Sequence, residues 1–391
     1  MTTAVVVGAG PAGLMAAEAL ADGGVSVIVV DQKPSVGRKF LMAGKSGLNL
    51  TKDEDPAAFL AAFGCDAIAP MINQFGPRDV VEWANNLDQD VFTGTSGRVF
   101  PTVMKASPLL RAWLGRLRGK DVEFRTQWVW KGFQDDSLCF ETPNGIQTLA
   151  PTVSVLALGG ASWRRLGSDG EWVGGLSPVA TVTPFKPSNM GLTVEWSRYM
   201  EPHFGAPLKN IRLMAGTARV KAEAVISRNG LEGGGIYAIS AKVRDGAELF
   251  IDLLPDLSET EIDKRLAEPM GKTTLSNVLR KRLKLGAAKL ALLNEFGRPF
   301  PDNLAGLLKA LPISHKGPAD IDGAISTAGG VAFDAVDESL MLHLRPGTFV
   351  AGEMLDWEAP TGGYLITGCL ATGLWAGQKA ARWVHEPVAT T

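Results

Sequence analysis

Gly8, Gly10 and Gly13, with an aspartate eighteen residues further on at Asp31, have types and spacing that suit one task. They can hold the pyrophosphate and ribose of an adenine dinucleotide. Gly8 permits a tight turn. Gly10 leaves phosphate oxygens room at the backbone, and Gly13 lets a helix pack close to a strand. Pro11 and Ala12 complete the loop. Asp31 can accept hydrogen bonds from ribose hydroxyls, with Gln32 and Lys33 beside it. Further on, Arg38 and Lys39 supply cations suited to a diphosphate. Lys45, Ser46, Gly47, Leu48 and Asn49 then make a loop of mostly small residues along which a flat group can lie.

Such residues need a particular scaffold, and the chain supplies it. Thr3–Val7 is a β-branched, apolar run that reads as a buried strand. Leu14–Ala21 favours helix, and a second apolar run, Val25–Val30, ends on Asp31. Strand, glycine turn, helix, strand and acid follow one another as the βαβ fingerprint requires; a glycine triplet alone is weak. The loop through Asn49 suits a two-dinucleotide flavoprotein better than a nicotinamide dehydrogenase.

Gly8–Ala17 together with Gly37-Arg38-Lys39-Phe40-Leu41-Met42-Ala43-Gly44-Lys45-Ser46-Gly47-Leu48-Asn49-Leu50-Thr51 resembles a bacterial flavoprotein family. That family includes aminoacetone-oxidase-like proteins and a dehydro-bile-acid reductase, and the chain looks closest to an uncharacterised branch of it. The resemblance recurs at Gly97–Pro101, Glu232–Gly235, Ser326–Val331, Gly352-Glu353 and Thr361–Tyr364, so it spans nearly the whole chain. It implies FAD and oxidoreductase activity, and no particular substrate. It also implies site roles. Val129 lies where relatives hold the adenine, and Ala157, Leu158 and Gly159 end a buried strand where relatives pass close to the dinucleotide. Trp163 lies just beyond them. Gly352 and Glu353 would face the ribityl and pyrophosphate region. Thr361, Gly362, Gly363 and Tyr364 would pass along the ring, and a helix at Leu365–Ala381 would point its positive N-terminal end near the pyrimidine edge, where it stabilises the anion formed on reduction. Relatives often carry Asn and Gln where this chain has Leu365 and Thr367.

Length, charge and cysteine content bound the reading. A chain of 391 residues suggests two or three domains. A net charge of −2 points away from nucleic acid and anionic membranes. The apolar N-terminus lacks the basic region of a signal peptide, and no run is long enough for a membrane span. Cys65, Cys139 and Cys369 are few and far apart, which fits reduced thiols in a cytoplasmic protein and argues against a disulfide reductase.

Along the chain, helices are expected at Ala57–Phe63, Pro77–Asn85 and from Ser107, with Ser107 as N-cap and Pro108 first in the helix. Gly94–Pro101 reads as a loop. Composition shifts near Thr183. The expected α/β architecture is a discontinuous, Rossmann-like FAD domain of the two-dinucleotide-binding type at 1–183 and 325–391. Inserted in it are a β-rich part at 184–257 and a helical part at 258–324. Ala218–Ser227 and Ala247–Leu254 alternate as strands. Ser258–Phe296 reads as a capped, long amphipathic helical run.

Other motifs have plainer readings. Gly271-Lys272-Thr273-Thr274 lacks the glycine and strand of a P-loop. Gly233–Ala238 fits a second nucleotide fingerprint formally, but Arg228–Glu232 is expected to separate it from the preceding strand, so a tight loop or lid is the better reading. Arg280–Lys284 reads as a solvated helix face. The four histidines lack ligand spacing, so no metal is expected. His315 is a loop histidine that could donate a proton. Trp163 and Trp357 follow two flavin motifs.

The combined expectation is an FAD-dependent oxidoreductase acting on a small organic molecule. In one form NAD(P)H is a transient electron donor. The alternatives are an oxidase of an amine-like substrate and a non-redox or RNA-modifying flavoprotein. Lys45, Asn49 and Tyr364 are the candidate catalytic residues, chosen by position. No nucleic-acid or membrane partner is expected, and the sequence leaves the oligomeric state open.

Overall fold

The computed structural model describes residues 3–44, 47–269 and 273–385. The chain divides into two compact units, Met1–Lys186 with Ser326–Thr391, and Pro187–Ile325.

The first unit is built on a five-stranded parallel sheet of β1 (Thr3–Val7), β2 (Ser26–Asp31), β3 (Glu123–Thr126), β4 (Val153–Leu156) and β5 (Thr348–Val350). Their order is β5-β4-β1-β2-β3. Strands covered on both faces need apolar runs; β1 has one in Ala4–Val7, and β4 is buried throughout, with Ser154, its one polar residue, bonded to the Thr348 hydroxyl. The strand order reverses at β1, which has β2 on one side and β4 on the other. Crevices at the carboxyl ends of such strands are where α/β sheets bind ligands.

Helix α1 (Pro11–Asp22) leaves β1 through the glycine loop. Gly8 has φ +102°, and a side chain there would meet the Ala157 carbonyl oxygen at 2.2 Å. A Cβ on Gly13 would lie 1.8 Å from the Gly8 carbonyl oxygen. Both glycines are therefore demanded by contact between β1, α1 and the end of β4. Three further helices matter to the site: α2 (Arg38–Ala43), α3 (Ala106–Gly119) and α4 (Tyr364–His385). Small residues bring α4 onto α1, with Gly373 against Ala12 and Gly377 against Ala16. A small antiparallel sheet joins Thr51–Lys52, Arg98–Pro101 and Val91–Thr93, and another joins Val129–Gln134, Ser137–Thr142 and Gly145–Leu149.

The second unit carries a six-stranded antiparallel sheet, in the order Leu192–Thr193, Gly230–Glu232, Ala218–Ser227, Pro207–Ala215, Leu249–Asp252, Leu311–Pro312. Its own core includes Leu213, Ile226, Ile239 and Leu293.

Several local expectations are corrected. Gly94–Pro101 is not all loop: Gly94 N–H donates to the Arg98 carbonyl and closes a hairpin between Val91–Thr93 and Arg98–Pro101. The α3 N-cap is Lys105 rather than Ser107, so Pro108 lies in the first turn, where its missing N–H leaves no bond unmade. The run 258–296 divides into Glu259–Leu266, Leu275–Arg282 and Ala287–Gly297, because Pro269 and Gly286 interrupt the periodicity. Ser258 does cap the first of these, reciprocally with Glu261. Residues 228–232 contain the strand Gly230–Glu232, which runs straight into Gly233 and the helix Gly234–Arg244. The expected gap before that glycine triplet is absent. Its strand is antiparallel, however, and a βαβ fingerprint needs a parallel one. Gly271 and Lys272 lie outside the described residues.

Candidate functional site

The carboxyl ends of β1, β2, β4 and β5 bring most of the expected site residues together. Helix α1 starts at Gly10 with no side chain capping its first turn, and a Cβ on Gly10 would meet nothing within 4 Å. Free N–H groups, the positive end of a helix and open space beside Gly10 make a cradle for a phosphate.

Asp31 ends β2 under this loop. Its carboxylate accepts the Ala9 N–H at 3.0 Å and the Lys33 N–H at 2.8 Å, which ties the glycine turn to the strand end. Each oxygen keeps a lone pair for a further donor. Burial, the largest influence, raises the Asp31 carboxyl above its ordinary 3.8, against the opposing pull of those two N–H groups. The folded protein therefore holds this proton more tightly than the unfolded chain. Its contribution to stability is fully present below 3.8 and is lost as pH rises through the folded value. Urea midpoints of FAD-free protein should fall across that interval, and Asp31→Asn should flatten the slope. Equal slopes in both proteins would contradict this account.

Gln32 donates to the Gly167 carbonyl and to Asp169, both at 3.0 Å. Val129 opens the strand that follows Gln127 and Trp128, whose N–H groups donate to the Lys33 and Asp31 carbonyls. The residues expected on the adenine side thus share one end of β2. Ala157 N–H donates to the Val7 carbonyl at 2.8 Å, placing Ala157, Leu158 and Gly159 beside Gly8. Trp163 is a bulky residue in the left-handed region at φ +65°, with the Arg165 guanidinium 5.4 Å from its ring centre.

The two cations of α2 differ in their surroundings. Lys39 Nζ lies 2.7 Å from Glu353, 2.9 Å from the Ser162 hydroxyl and 3.3 Å from the Ser168 hydroxyl, so its three donors have protein partners. Glu353 also accepts the Thr327 N–H at 3.1 Å. Arg38 contacts Ser35 at 3.2 Å, while its Nε is buried with no hydrogen-bond partner. Asn49 Oδ1 is likewise buried and without a partner. Buried polar atoms normally have partners, so these two fit a bound group that presents an acceptor to Arg38 and a donor to Asn49. FAD does both, with its phosphates and its ring N–H. The residues present therefore fit FAD.

Around Asn49, Leu48 N–H donates to the Met104 carbonyl and Leu50 N–H to the Val99 carbonyl, fixing the loop after Gly47. Lys45 and Ser46 lie outside the described residues. Opposite, Gly362 and Gly363 have φ +124° and +99° and lead into Tyr364 at the start of α4. Leu365 is half-buried in its first turn. Thr367 is buried, and its hydroxyl contacts Thr51 Oγ1 at 2.9 Å and the Gly363 carbonyl at 3.0 Å. Trp357 Nε1 donates to the Gly352 carbonyl at 2.9 Å.

Sequence reasoning missed the partners of Tyr364. Its ring stacks on Phe59 at 4.7 Å, Lys52 Nζ donates to its hydroxyl at 2.9 Å, and the hydroxyl donates to Glu54. Lys52 also pairs with Glu54, closing a ring of three. Burial, then the bond to Glu54, raises the phenol above its ordinary 10.0, so Tyr364 keeps its proton at neutral pH. Lys52 and Glu54 lie in a segment whose polarity reads simply as a turn, so no local pattern marks them. Burial pushes the Cys369 thiol up to about 12, with the Glu353 charge adding to it, so this cysteine is no nucleophile. His315 lies in the second unit, accepts the Gly317 N–H and is held below its ordinary value by burial. Among the described residues, no helix is long and apolar enough to cross a membrane.

A family model described as the HI0933-like protein Rossmann domain matches residues 2–379. A 3-dehydro-bile acid delta(4,6)-reductase of Clostridium scindens is 24% identical over 412 residues, covering 96% of this chain and 98% of that protein. A ribosomal RNA dihydrouridine synthase of Escherichia coli is 24% identical over 380 residues, covering 92% and 93% respectively. Among solved structures, a 3-ketosteroid-delta4-(5alpha)-dehydrogenase from Rhodococcus jostii RHA1 is similar at a TM-score of 0.52 and 15% identity, covering 98% of this chain and 97% of that one.

Proposed function

The chain belongs to the HI0933-like Rossmann-domain family, its cofactor is FAD and it is an oxidoreductase; from that premise we propose an NAD(P)H-dependent reductase that adds hydrogen across an activated carbon–carbon double bond of a small organic molecule. The observation that carries this reading is a shared chemistry in two relatives. A delta(4,6)-reductase and a dihydrouridine synthase are each named for saturating a conjugated double bond.

When bound, FAD supplies the hydride chemistry. The chain's own residues do the rest. Gly10 and the first turn of α1 seat the pyrophosphate, Arg38 offers it the free Nε, and Asp31 takes the ribose. Lys39, bonded to Ser162 and Ser168, holds Glu353, which also accepts the Thr327 N–H, and so fixes the end of β5. Asn49 would offer Oδ1 to a ring donor, and the Gly362–Gly363 backbone would lie along the ring. Tyr364, kept protonated between Lys52 and Glu54, anchors the start of α4. Asn49 and Tyr364 remain the catalytic candidates, Asn49 through its unpartnered Oδ1.

A second reading, reduction of a uracil base in RNA, is favoured by the Escherichia coli relative. An anaerobic titration of the yellow protein with NADPH and NADH tests the main one. Prompt bleaching is the expected result, and a colour unchanged by either nicotinamide overturns it. Bleached protein given bulk RNA, followed by mass spectrometry of the nucleosides, separates the two. Two added hydrogens on uridine would establish the RNA reading.

A further inference from the structure

We propose that the open face of the sheet formed by Thr51–Lys52, Arg98–Pro101 and Val91–Thr93 is the substrate platform, and that its ligand is a flat, apolar organic anion. The apolar body would lie on Phe92, Phe100, Val103 and Met104, with its carboxylate on Arg98. The proposal rests on the reductase reading for its chemistry and on this face for its recognition.

The sheet has two unlike faces. Residues alternate across a strand, and Val99 and Pro101 point inward and are buried. Arg98 and Phe100 share the outward face. Lys52 lies directly opposite Arg98, and Phe92 directly opposite Phe100. The face therefore has a cationic end and an aromatic end. Phe92 and Phe100 stack at 5.8 Å and 29° although Phe92 is 42% exposed, and the neighbouring Val103 and Met104 are 53% and 37% exposed. Clustered exposed apolar side chains of this kind mark binding surfaces.

The cationic end is equally selective. The Lys52 charge is matched by Glu54. The Arg98 guanidinium is exposed and has no partner among the described residues. A planar fork of donors beside an aromatic pair suits a carboxylate carried on a flat body.

The face is also continuous with the proposed flavin site. A Cβ on Gly47 would lie 2.6 Å from the end of Met104 and 3.8 Å from the Phe100 ring. A Cβ on Gly362 would lie 3.8 Å from Arg98 Nε. The two glycine segments assigned to the ring thus border the platform at both ends.

Calorimetric titration of the FAD-loaded protein tests this with three probes: trans-cinnamate, neutral cinnamamide, and crotonate, which keeps the charge but lacks the ring. Cinnamate should bind about tenfold more tightly than either, as expected for one charge-assisted contact and one buried ring. Arg98→Gln should reduce cinnamate to the affinity of cinnamamide. Phe92→Ala should weaken cinnamate about fivefold and leave crotonate unchanged. No saturable binding of cinnamate, equal binding of acid and amide, or a preference that survives Arg98→Gln overturns the proposal. So does a Phe92→Ala change that splits a dimer while cinnamate binding stays intact, since the face would then belong to a second copy. Nicotinamide bleaching is read separately. Anion-selective binding without bleaching leaves the platform standing and removes the reductase reading, and the converse does the opposite.

Discussion

Gly10→Leu should leave the fold standing and strip FAD from the protein. A Cβ at this position meets no atom within 4 Å, so the substitution forces no backbone movement. The isobutyl group instead fills the space where the first N–H groups of α1 are free to meet phosphate. Losing two charge-assisted contacts to a dianionic group weakens binding by about 4 kcal/mol, or about a thousandfold. Visible absorption after gel filtration, paired with circular dichroism, reads both halves of the expectation. Colourless, fully folded protein is the expected result, and a yellow Gly10→Leu protein would remove the phosphate assignment. Gly13 makes the contrast. A Cβ there collides with the Gly8 carbonyl oxygen at 1.8 Å, so Gly13→Val should fail at folding and report nothing about FAD.

Gly363→Ala should produce the second large effect, this time on stability. The added methyl would sit 2.4, 2.5 and 2.6 Å from Thr51 Cα, C and N, on a residue whose φ is +99°. Strained backbone of this kind costs about 1–3 kcal/mol, and overpacking a filled contact about as much again. Around 4 kcal/mol is therefore expected, a large part of a typical domain's stability. The same shift would move Thr51–Lys52 away from α4, parting Thr367 from Thr51 and Tyr364 from Lys52. Urea denaturation measures the loss, and a change below about 1 kcal/mol would show that this approach is softer than the geometry implies.

These two glycines also mark how far the sequence can be read. Gly10 was legible because the whole βαβ unit lies within thirty-one residues and each part signals locally: apolar run, glycine turn, helix formers, acid. Gly363 could be noticed only through family resemblance, since its partner Thr51 is more than three hundred residues away. Lys39 shows the same gap. Its type and position suit phosphate, yet its ammonium group is engaged with Ser162 and Glu353, 123 and 314 positions further along the chain. Lys52 and Glu54 read only as part of a polar turn, and Arg98 only as part of a stretch of family resemblance, because charged residues in short segments between glycines and prolines look like solvated turns. Only the pairing of Lys52 with Arg98 across the small sheet gives them a common face. Helix boundaries between 258 and 296 failed for another reason: amphipathic periodicity survives a break of a few residues, so three short helices mimic one long one.

The strand order β5-β4-β1-β2-β3 fixes when this protein can first work. β1 and β2 leave the ribosome among the first residues, but β4 waits for β5 at Thr348–Val350, and the small-residue face of α1 stays bare until Gly373 and Gly377 of α4 arrive. Synthesis runs from the N-terminus at about 5–20 residues per second, so the glycine cradle stands half-built for most of translation. The Pro187–Ile325 stretch, by contrast, is continuous and has all its strands as soon as it emerges. Cofactor capture is therefore an event of the finished chain. A nonsense change between Asp31 and β5 yields a polypeptide with the complete dinucleotide fingerprint and no means of keeping the dinucleotide.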